Sequence, residues 1–203
     1  NYSERMLEET YLVPFKAVIQ KGGARSIMTA YNSIDGRPCS ANDWLLNKKL
    51  KEEWGFRGFV ISDAGAVGGA NVLHFTASDY ADAGKQSIEN GLDVIFQTDI
   101  KHAELFNGPF LNGSVDQAKL DSAVSRVLQM KFELGLFEQP YVDISALQNN
   151  LDLAQHRALS KEAALKSIVL LKNDNQALPL SPSLKTIAVF GQDAVEARLG
   201  GYS

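Results

Sequence analysis

The most constraining feature of this sequence is a set of short apolar runs that lack the polar alternation of a half-exposed strand. The clearest run is Gly58–Asp63, and similar runs lie at Ser26–Tyr31 and Asp93–Gln97. Between them, in the segments 42–55 and 78–89, apolar residues recur at helical spacing. Uniformly apolar strands that alternate with helices are typical of a parallel sheet buried on both faces. The sequence therefore predicts an α/β fold, either a doubly wound sheet or part of a (β/α)8 barrel.

Two further helices are predicted on either side of these strands. The first runs from Ser3 to Gln20, with Ser3 as its N-cap and Pro14 as the site of a kink. The second runs from about Val115 to Leu134, and Gly135 ends it. Helical spacing predicts that it packs through an apolar stripe of Leu120, Val124, Val127 and Leu128.

The character of the sequence changes after residue 136. The next segment lacks clear periodicity and is predicted to be a linker. A helix from Leu153 to Lys166 follows, and then two apolar runs at Ser167–Asn173 and Thr186–Gly191 that are predicted to be strands. The chain is thus divided into a first domain, a linker and the start of a second domain, at residues 1–136, 137–153 and 154–203.

Composition excludes several classes of protein. The formal net charge of −4 argues against a nucleic-acid partner, which requires a basic surface. Apolar runs are too short for a membrane-spanning helix, so no membrane partner is expected. Cys39 is the single cysteine, which excludes an internal disulfide and a cysteine-rich zinc site. The N-terminal residues resemble no leader peptide, and both ends indicate a piece of a longer polypeptide.

Candidate functional residues lie where the predicted strands end. Asp63 follows the clearest strand, and in both candidate architectures the active site lies at this carboxyl edge of the sheet. Tyr31 and Phe96 end the neighbouring strands, so the three side chains are expected around one opening. An aromatic ring beside a carboxylate suits a sugar, which has an apolar face and many hydroxyl groups. The alternative is that Tyr31 and Phe96 are ordinary core residues and that Asp63 caps a loop.

The glycine-rich segment after Asp63 favours a second interpretation. Small residues from Ala64 to Ala70 leave space for a ligand, and a loop of this kind after a strand is typical of nucleotide-binding domains. The segment lacks the GxGxxG pattern, however, and the carboxylate of Asp63 would repel a pyrophosphate. The three histidines, at positions 74, 102 and 156, match no metal-binding motif.

Several motifs, in order along nearly the whole chain, resemble glycoside hydrolase family 3. The most specific is the block that ends in Gly58-Phe59-Val60-Ile61-Ser62-Asp63, and others are Gly91-Leu92-Asp93 and the segments 27–39, 127–137 and 167–173. The resemblance implies the C-terminal portion of a (β/α)8 TIM-type barrel, followed by the start of an α/β sandwich domain.

The activity that the resemblance implies is retaining β-glycosidase chemistry, with terminal non-reducing β-D-glucosyl residues as the expected substrate. The aspartate of the family's Ser-Asp motif is the nucleophile, which falls on Asp63. The family's sugar-binding positions fall on Tyr31, Phe96 and Ala64, although members frequently have Trp where this chain has Ala64. A retaining enzyme also needs an acid/base carboxyl group about 5 Å from the nucleophile. No cofactor or metal is needed.

The resemblance also implies what this chain lacks. Other sugar-binding residues of the family would precede Asn1, and the acid/base glutamate would lie beyond Ser203. The remainder of the parent polypeptide is therefore an expected partner, beside a β-glucoside or oligosaccharide substrate. The alternatives are a β-xylosidase of the same family and a catalytically incomplete fragment with no activity alone. Family analogy implies a periplasmic or secreted protein.

Overall fold

The computed structural model describes residues 2–150 and 153–196. The chain divides into two compact units, Asn1–Val142 and Asp143–Ser203. The division falls inside the segment 137–153 that the sequence predicts as a linker. The last part of the predicted second domain, residues 197–203, lies outside the described residues.

The first unit opens with a helical segment in three parts. A short α-helix α1 (Glu4–Met6) continues into a π-helix π1 (Leu7–Tyr11), and α2 (Val13–Gln20) follows. The hydroxyl of Ser3 accepts a hydrogen bond from the Met6 amide, which confirms the predicted N-cap. The helix breaks at Leu12 because Pro14, in the first turn of α2, lacks the amide hydrogen needed for a continuous helix.

Parallel strands form the centre of the first unit. Strand β1 (Ser26–Thr29) pairs in parallel with β4 (Phe59–Ser62), with Ile27 opposite Val60. A third segment lies on the other side of β4, where Ile61 forms a parallel bridge with Val94. The predicted strand Asp93–Gln97 is thus reduced to a single bridge, although the Ser62 amide also donates to the Val94 carbonyl.

A tight hairpin and a helix connect β1 to β4. Strands β2 (Ser33–Ile34) and β3 (Arg37–Pro38) pair in antiparallel fashion. Asp35 and Gly36 between them both have positive φ, as a two-residue hairpin turn requires. A 3-10 turn (Cys39–Ala41) precedes the π-helix π2 (Trp44–Glu53), and the Leu45 amide in the first turn of π2 donates to Asn42 Oδ1.

The remaining helices of the first unit follow β4. They are α3 (Gly69–Val72), α4 (Tyr80–Glu89), α5 (Ile100–Glu104), α6 (Gly108–Leu111) and α7 (Gln117–Glu133). Helix α4 connects β4 to the third strand segment, and aspartates cap the starts of α4, α5 and α7. The architecture of the first unit is therefore mixed α/β, with parallel strands linked by helices.

The core lies between the sheet and its helices. Val60, Leu92 and Ala83 of α4 are completely buried there, and Leu46 and Leu50 of π2 are nearly so. Ile27 of β1 packs against this core. Because side chains alternate between the two faces of a strand, its neighbour Met28 lies on the face away from the core, where it is 58% exposed.

The stripe predicted for α7 is only partly correct. Helix α7 spans nearly the predicted range, but its buried residues are Ala123 and Met130. Val124 and Leu128 of the predicted stripe are exposed, and so is Phe132. These apolar side chains share one face of α7 because of their helical spacing, and the Phe137 ring lies against Phe132 on that face with 4.3 Å between ring centroids.

The second unit differs most from the predictions. It contains α8 (Ile144–Asn150) and α9 (Leu153–Ser167), together with 3-10 turns at Asp174–Gln176 and Gln192–Ala194. The predicted linker therefore ends in a helix. Neither predicted strand, at Ser167–Asn173 or Thr186–Gly191, forms a strand among the described residues. An apolar run becomes a strand only when a neighbour completes its hydrogen bonds.

Candidate active site

The three predicted site residues lie at one edge of the parallel sheet. Tyr31 comes two residues after β1, Asp63 directly follows β4, and Phe96 comes two residues after Val94 of the third segment. Because the strands are parallel, their carboxyl ends meet at the same edge. The structure therefore brings the predicted residues together at this edge, with Asp63 on the middle strand.

Hydrogen bonds between the strand ends fix these residues relative to one another. The Asp63 amide donates to the Thr29 carbonyl at 3.2 Å. On the other side, the Phe96 amide donates to the Ser62 hydroxyl at 2.9 Å. The backbone at Asp63 is therefore tied to both neighbouring strands, which gives its side chain a rigid base.

Ala64 connects the carboxylate of Asp63 to the ring of Tyr31. Its amide donates to Asp63 Oδ1 at 2.6 Å, and its carbonyl accepts the Tyr31 hydroxyl proton at 2.7 Å. Asp63 is half-buried and forms no ion pair among residues 2–150 and 153–196. Within the same part of the chain no donor binds its second oxygen, Oδ2, which is thus available to react.

The small residues after Asp63 do not leave the space that the sequence predicts. Residues 66–70 are all buried, and Val67 is completely so. A Cβ atom at Gly68 would lie 2.4 Å from Cε1 of Tyr80. This position therefore has no side chain because the Tyr80 ring packs directly on its backbone. The expectation of a ligand space is therefore wrong for residues 66–70, whereas Ala64 and Gly65 are only half-buried.

The same loop offers little to a phosphate group. A phosphate-binding loop presents free amide groups to its ligand. Here the amides of Gly65, Ala66, Gly69 and Ala70 donate to backbone carbonyls. The contacts of this loop thus favour the sugar interpretation of the site over the nucleotide interpretation.

Sequence reasoning missed a histidine at this edge. His74 lies in the loop after α3, and its Nε2 is 2.8 Å from the Tyr31 carbonyl oxygen. No motif marks this residue, and the contact joins positions 43 apart in the sequence. Only its closeness to the strand ends in space identifies it.

A buried ion cluster lies at the start of the third strand segment. The Asp93 side chain is completely buried, and its Oδ2 accepts the Val60 amide at 2.8 Å. Its Oδ1 accepts a hydrogen bond from Arg126 Nη1 at 2.8 Å and lies 3.5 Å from Lys51 Nζ. Burial lowers the pKa of Lys51 to about 8, and the Asp93 charge only partly opposes this effect. The cluster joins π2, the sheet and α7.

The described residues contain neither a metal-binding cluster nor a helix suited to span a membrane. Among residues 2–150 and 153–196, no three or more His, Cys, Asp or Glu side chains are grouped so that they could hold a metal ion. In the same residues, no helix combines the length and apolarity needed to cross a membrane.

Comparison with known protein families shows to which family this chain belongs. The model of the glycosyl hydrolase family 3 N terminal domain matches residues 1–130. This chain belongs to glycosyl hydrolase family 3. The model of the family 3 C-terminal domain matches residues 168–203 as well, so both parts of the chain resemble family 3 sequences.

Curated family 3 relatives are similar over almost the whole chain. A β-xylosidase of Formosa agariphila is 36% identical over 99% of this chain, and a periplasmic β-glucosidase of Salmonella typhimurium is also 36% identical over 99%. The chain spans 30% of the first relative and 27% of the second.

Solved family 3 structures show the same fold. A β-glucosidase from Listeria innocua matches with a TM-score of 0.71 and 35% identity, over 89% of this chain and 25% of its own. An exo-β-xylosidase, XlnD, in complex with a xylobiose aziridine probe matches with a TM-score of 0.71 and 29% identity, over 91% of this chain and 24% of its own.

Proposed function

We propose that this chain contributes the nucleophile and part of the sugar-binding surface of a retaining β-glycosidase. The observation that carries the proposal is the position of Asp63 on the middle of three parallel strands, between Tyr31 and Phe96 on the neighbours. Family 3 membership and relatives named β-glucosidase and β-xylosidase support this reaction.

Asp63 acts as the nucleophile in this proposal. Its Oδ2 attacks the anomeric carbon while the bond from that carbon to the leaving oxygen breaks, which forms a glycosyl-enzyme intermediate. Oδ1 accepts the Ala64 amide, and this bond holds the carboxylate in one orientation. A second carboxyl group donates its proton to the leaving oxygen as that bond breaks, and as a carboxylate it then takes a proton from the water that releases the sugar with retention of configuration. We assign that acid/base group to no residue of this chain.

The neighbouring residues shape the sugar subsite. Tyr31 and Phe96 are both close to half exposed at the strand ends, so their rings are available to the apolar face of a sugar. Ala64 lies between Tyr31 and Asp63 and contributes its backbone. The small side chain of Ala64 leaves room beside the nucleophile for the substrate.

We further propose that the first unit is the C-terminal portion of a (β/α)8 barrel. The three parallel strand segments joined by helices support this architecture, as does the exposed apolar face that carries Met28. The proposed domains are 1–136, 137–153 as a linker, and 154–203 as the start of an α/β sandwich. The active enzyme then needs further polypeptide to close the barrel and supply the acid/base group.

The proposed substrate is a terminal, non-reducing β-D-glucosyl residue. Several similar solved structures are named β-glucosidases, and one of them is in complex with glucose. The alternative is a β-D-xylosyl residue, which is supported by the names of other relatives. The two sugars differ by a hydroxymethyl group, so paired substrates distinguish them.

Covalent trapping tests the assignment of Asp63. The complete polypeptide that contains this chain is incubated with a 2-deoxy-2-fluoro β-glucoside and, in parallel, with the corresponding xyloside. We expect one sugar to remain attached to the peptide that contains Asp63, as measured by mass spectrometry of a digest. Label on another residue would refute the assignment.

A pair of variants provides the control for this experiment. Asp63→Asn is expected to lose trapping and to reduce turnover of an aryl β-glucoside by at least about a thousandfold, since the nucleophile is removed. Asp121→Asn changes an exposed carboxylate on α7 and is expected to retain both activities. Full turnover by Asp63→Asn would exclude Asp63 as the nucleophile.

A further inference from the structure

The loop after α3 reaches back to the edge of the sheet that carries the proposed site. His74 Nε2 lies 2.8 Å from the carbonyl oxygen of Tyr31. A carbonyl oxygen only accepts hydrogen bonds, so Nε2 carries the proton and donates it. Protonation of Nδ1 would leave this bond intact, because Nε2 remains a donor in the imidazolium form.

The loop that carries His74 is held firmly against α3. The amides of Thr76 and Ala77 both donate to the Ala70 carbonyl, and Asn71 Nδ2 donates to the carbonyls of Ala77 and Ser78. Phe75 has a φ of 55°, a left-handed conformation that costs free energy for a bulky residue. The loop thus keeps a sharp turn directly beside His74.

The imidazole also has a packing contact that orients it. A Cβ atom at Gly69 would lie 3.9 Å from both Cδ2 and Nε2 of His74, so the ring lies over this glycine. The His74 amide donates to the Gly69 carbonyl at 2.9 Å. Backbone and ring are therefore both held against Gly69, at the start of α3.

These contacts form a continuous connection between two parts of the proposed site. His74 donates to the Tyr31 backbone, the Tyr31 hydroxyl donates to the Ala64 carbonyl, and the Ala64 amide donates to Asp63. Tyr31 follows β1, whereas Ala64 and His74 both follow β4. The bond from His74 therefore connects the ends of two strands at the site.

We propose that His74 is a positioning residue that fixes Tyr31 and, through Ala64, the carboxylate of Asp63. This role rests on the proposed function, since it concerns the geometry of nucleophilic attack. A nucleophile that is slightly misplaced loses rate even when the fold is intact. Loss of the Nε2 donor is therefore expected to slow formation of the glycosyl-enzyme.

Two amide side chains of different length test the role of the Nε2 donor. In His74→Gln the amide nitrogen reaches about the position of Nε2, whereas in His74→Asn it reaches only about that of Nδ1. The complete polypeptide is mixed with a 2-deoxy-2-fluoro β-glucoside, and the rate of covalent labelling is measured over a range of concentrations. Near-ultraviolet circular dichroism checks that each variant is folded.

We expect H74N to label about tenfold more slowly at saturation, as the loss of one hydrogen bond implies, and H74Q to remain within about twofold of wild type. H74A is a second variant without the donor, and it replaces H74N if that variant does not fold. Labelling of the donor-free variant at the wild-type rate, or equally slow labelling of H74Q, would overturn the inference. A wild-type protein that is labelled elsewhere than Asp63 would overturn the proposed function first.

Discussion

Single hydrogen bonds determine how Asp63 is presented at the edge of the sheet. Its amide is held by the end of β1, and one carboxylate oxygen is held by Ala64. The Tyr31 hydroxyl binds the carbonyl of the same alanine. Ala64 therefore makes its contacts with Asp63 and Tyr31 through its backbone, and these contacts need no large side chain at this position.

Removal of the Tyr31 hydroxyl tests this interpretation. Tyr31→Phe keeps the ring but loses the bond to the Ala64 carbonyl. In the complete polypeptide, kcat/KM for an aryl β-glucoside is expected to fall about five- to tenfold, which is the effect of one hydrogen bond. Tyr141→Phe serves as the control because Tyr141 is 90% exposed. Equal activity of both variants would show that the Tyr31 hydroxyl is dispensable.

Two buried titratable residues predict how stability depends on pH. Burial lowers the pKa of Lys51 to about 8, from 10.5 in the unfolded chain. Between these values the unfolded chain binds more protons, so the free energy of unfolding rises with pH by about 3 kcal/mol in total. Burial raises the pKa of the Cys39 thiol from 9.0 to about 11. Between those values the folded chain binds more protons, and stability falls by about 3 kcal/mol.

Together, the two residues are expected to make the free energy of unfolding rise, level off and then fall as the pH increases. The free energy of unfolding, measured with urea, is expected to rise from pH 8 to 9, to change little up to 10.5, and then to fall towards 11. In Cys39→Ala the rise is expected to continue to pH 10.5. In Lys51→Met only the fall from pH 9 is expected to remain. A wild-type curve that falls between pH 8 and 9 would contradict the assignment to Lys51.

The buried Asp93 connects elements that lie far apart in the chain. It accepts a hydrogen bond from the backbone of β4, and it binds Lys51 of π2 and Arg126 of α7. Its charged partners thus come from two different helices, π2 and α7. A buried charge that loses its partner is costly, because water cannot replace the lost interaction.

Neutralisation of Asp93 is therefore expected to weaken the packing of these elements. Asp93→Asn leaves the buried Lys51 and the partly exposed Arg126 without their counter-charge, and the free energy of unfolding should fall by about 3 kcal/mol. Asp121→Asn, on the exposed side of α7, should change it by less than about 0.5 kcal/mol. Urea denaturation measures both. A similar midpoint for the two variants would mean that the cluster does not stabilise the fold.

The first unit as a whole leaves several large apolar side chains exposed outside its core. Met28 is exposed on one face of the sheet, and Val124, Leu128 and Phe132 are exposed on α7. Contiguous apolar surface of this kind mediates association. The surface is consistent with the proposal that further polypeptide completes the fold, since the chain spans about a quarter of its solved relatives.

Polar substitution on α7 tests whether its exposed apolar face mediates self-association of the chain. In the 203-residue chain, Val124→Gln combined with Leu128→Gln is expected to reduce concentration-dependent association, as measured by analytical ultracentrifugation. The free energy of unfolding should change by less than about 1 kcal/mol, because both side chains are exposed. Ser125→Gln on the same helix is the control. Unchanged association in the double variant would show that α7 is not the contact surface.

Local sequence signals predicted most of the first unit correctly. The N-cap at Ser3 and the break before Pro14 involve residues that are close in the chain, so their chemistry is visible in the sequence. The predictions were wrong where a segment needs a neighbouring strand to complete its hydrogen bonds. The segments Ser167–Asn173 and Thr186–Gly191 have the composition of strands, but no strand forms among the described residues.

The sequence by itself determined the parallel α/β character of the first unit, its family, and the position of Asp63 at the end of a strand. Only the tertiary structure decided that Ala64 joins Asp63 to Tyr31, that His74 binds Tyr31, and that Asp93 binds Lys51 and Arg126. The physical reason is that a local pattern sets the periodicity of one element. Except for the bond between Asp63 and its neighbour Ala64, these contacts join residues that are tens of positions apart, and they exist only once those elements have packed.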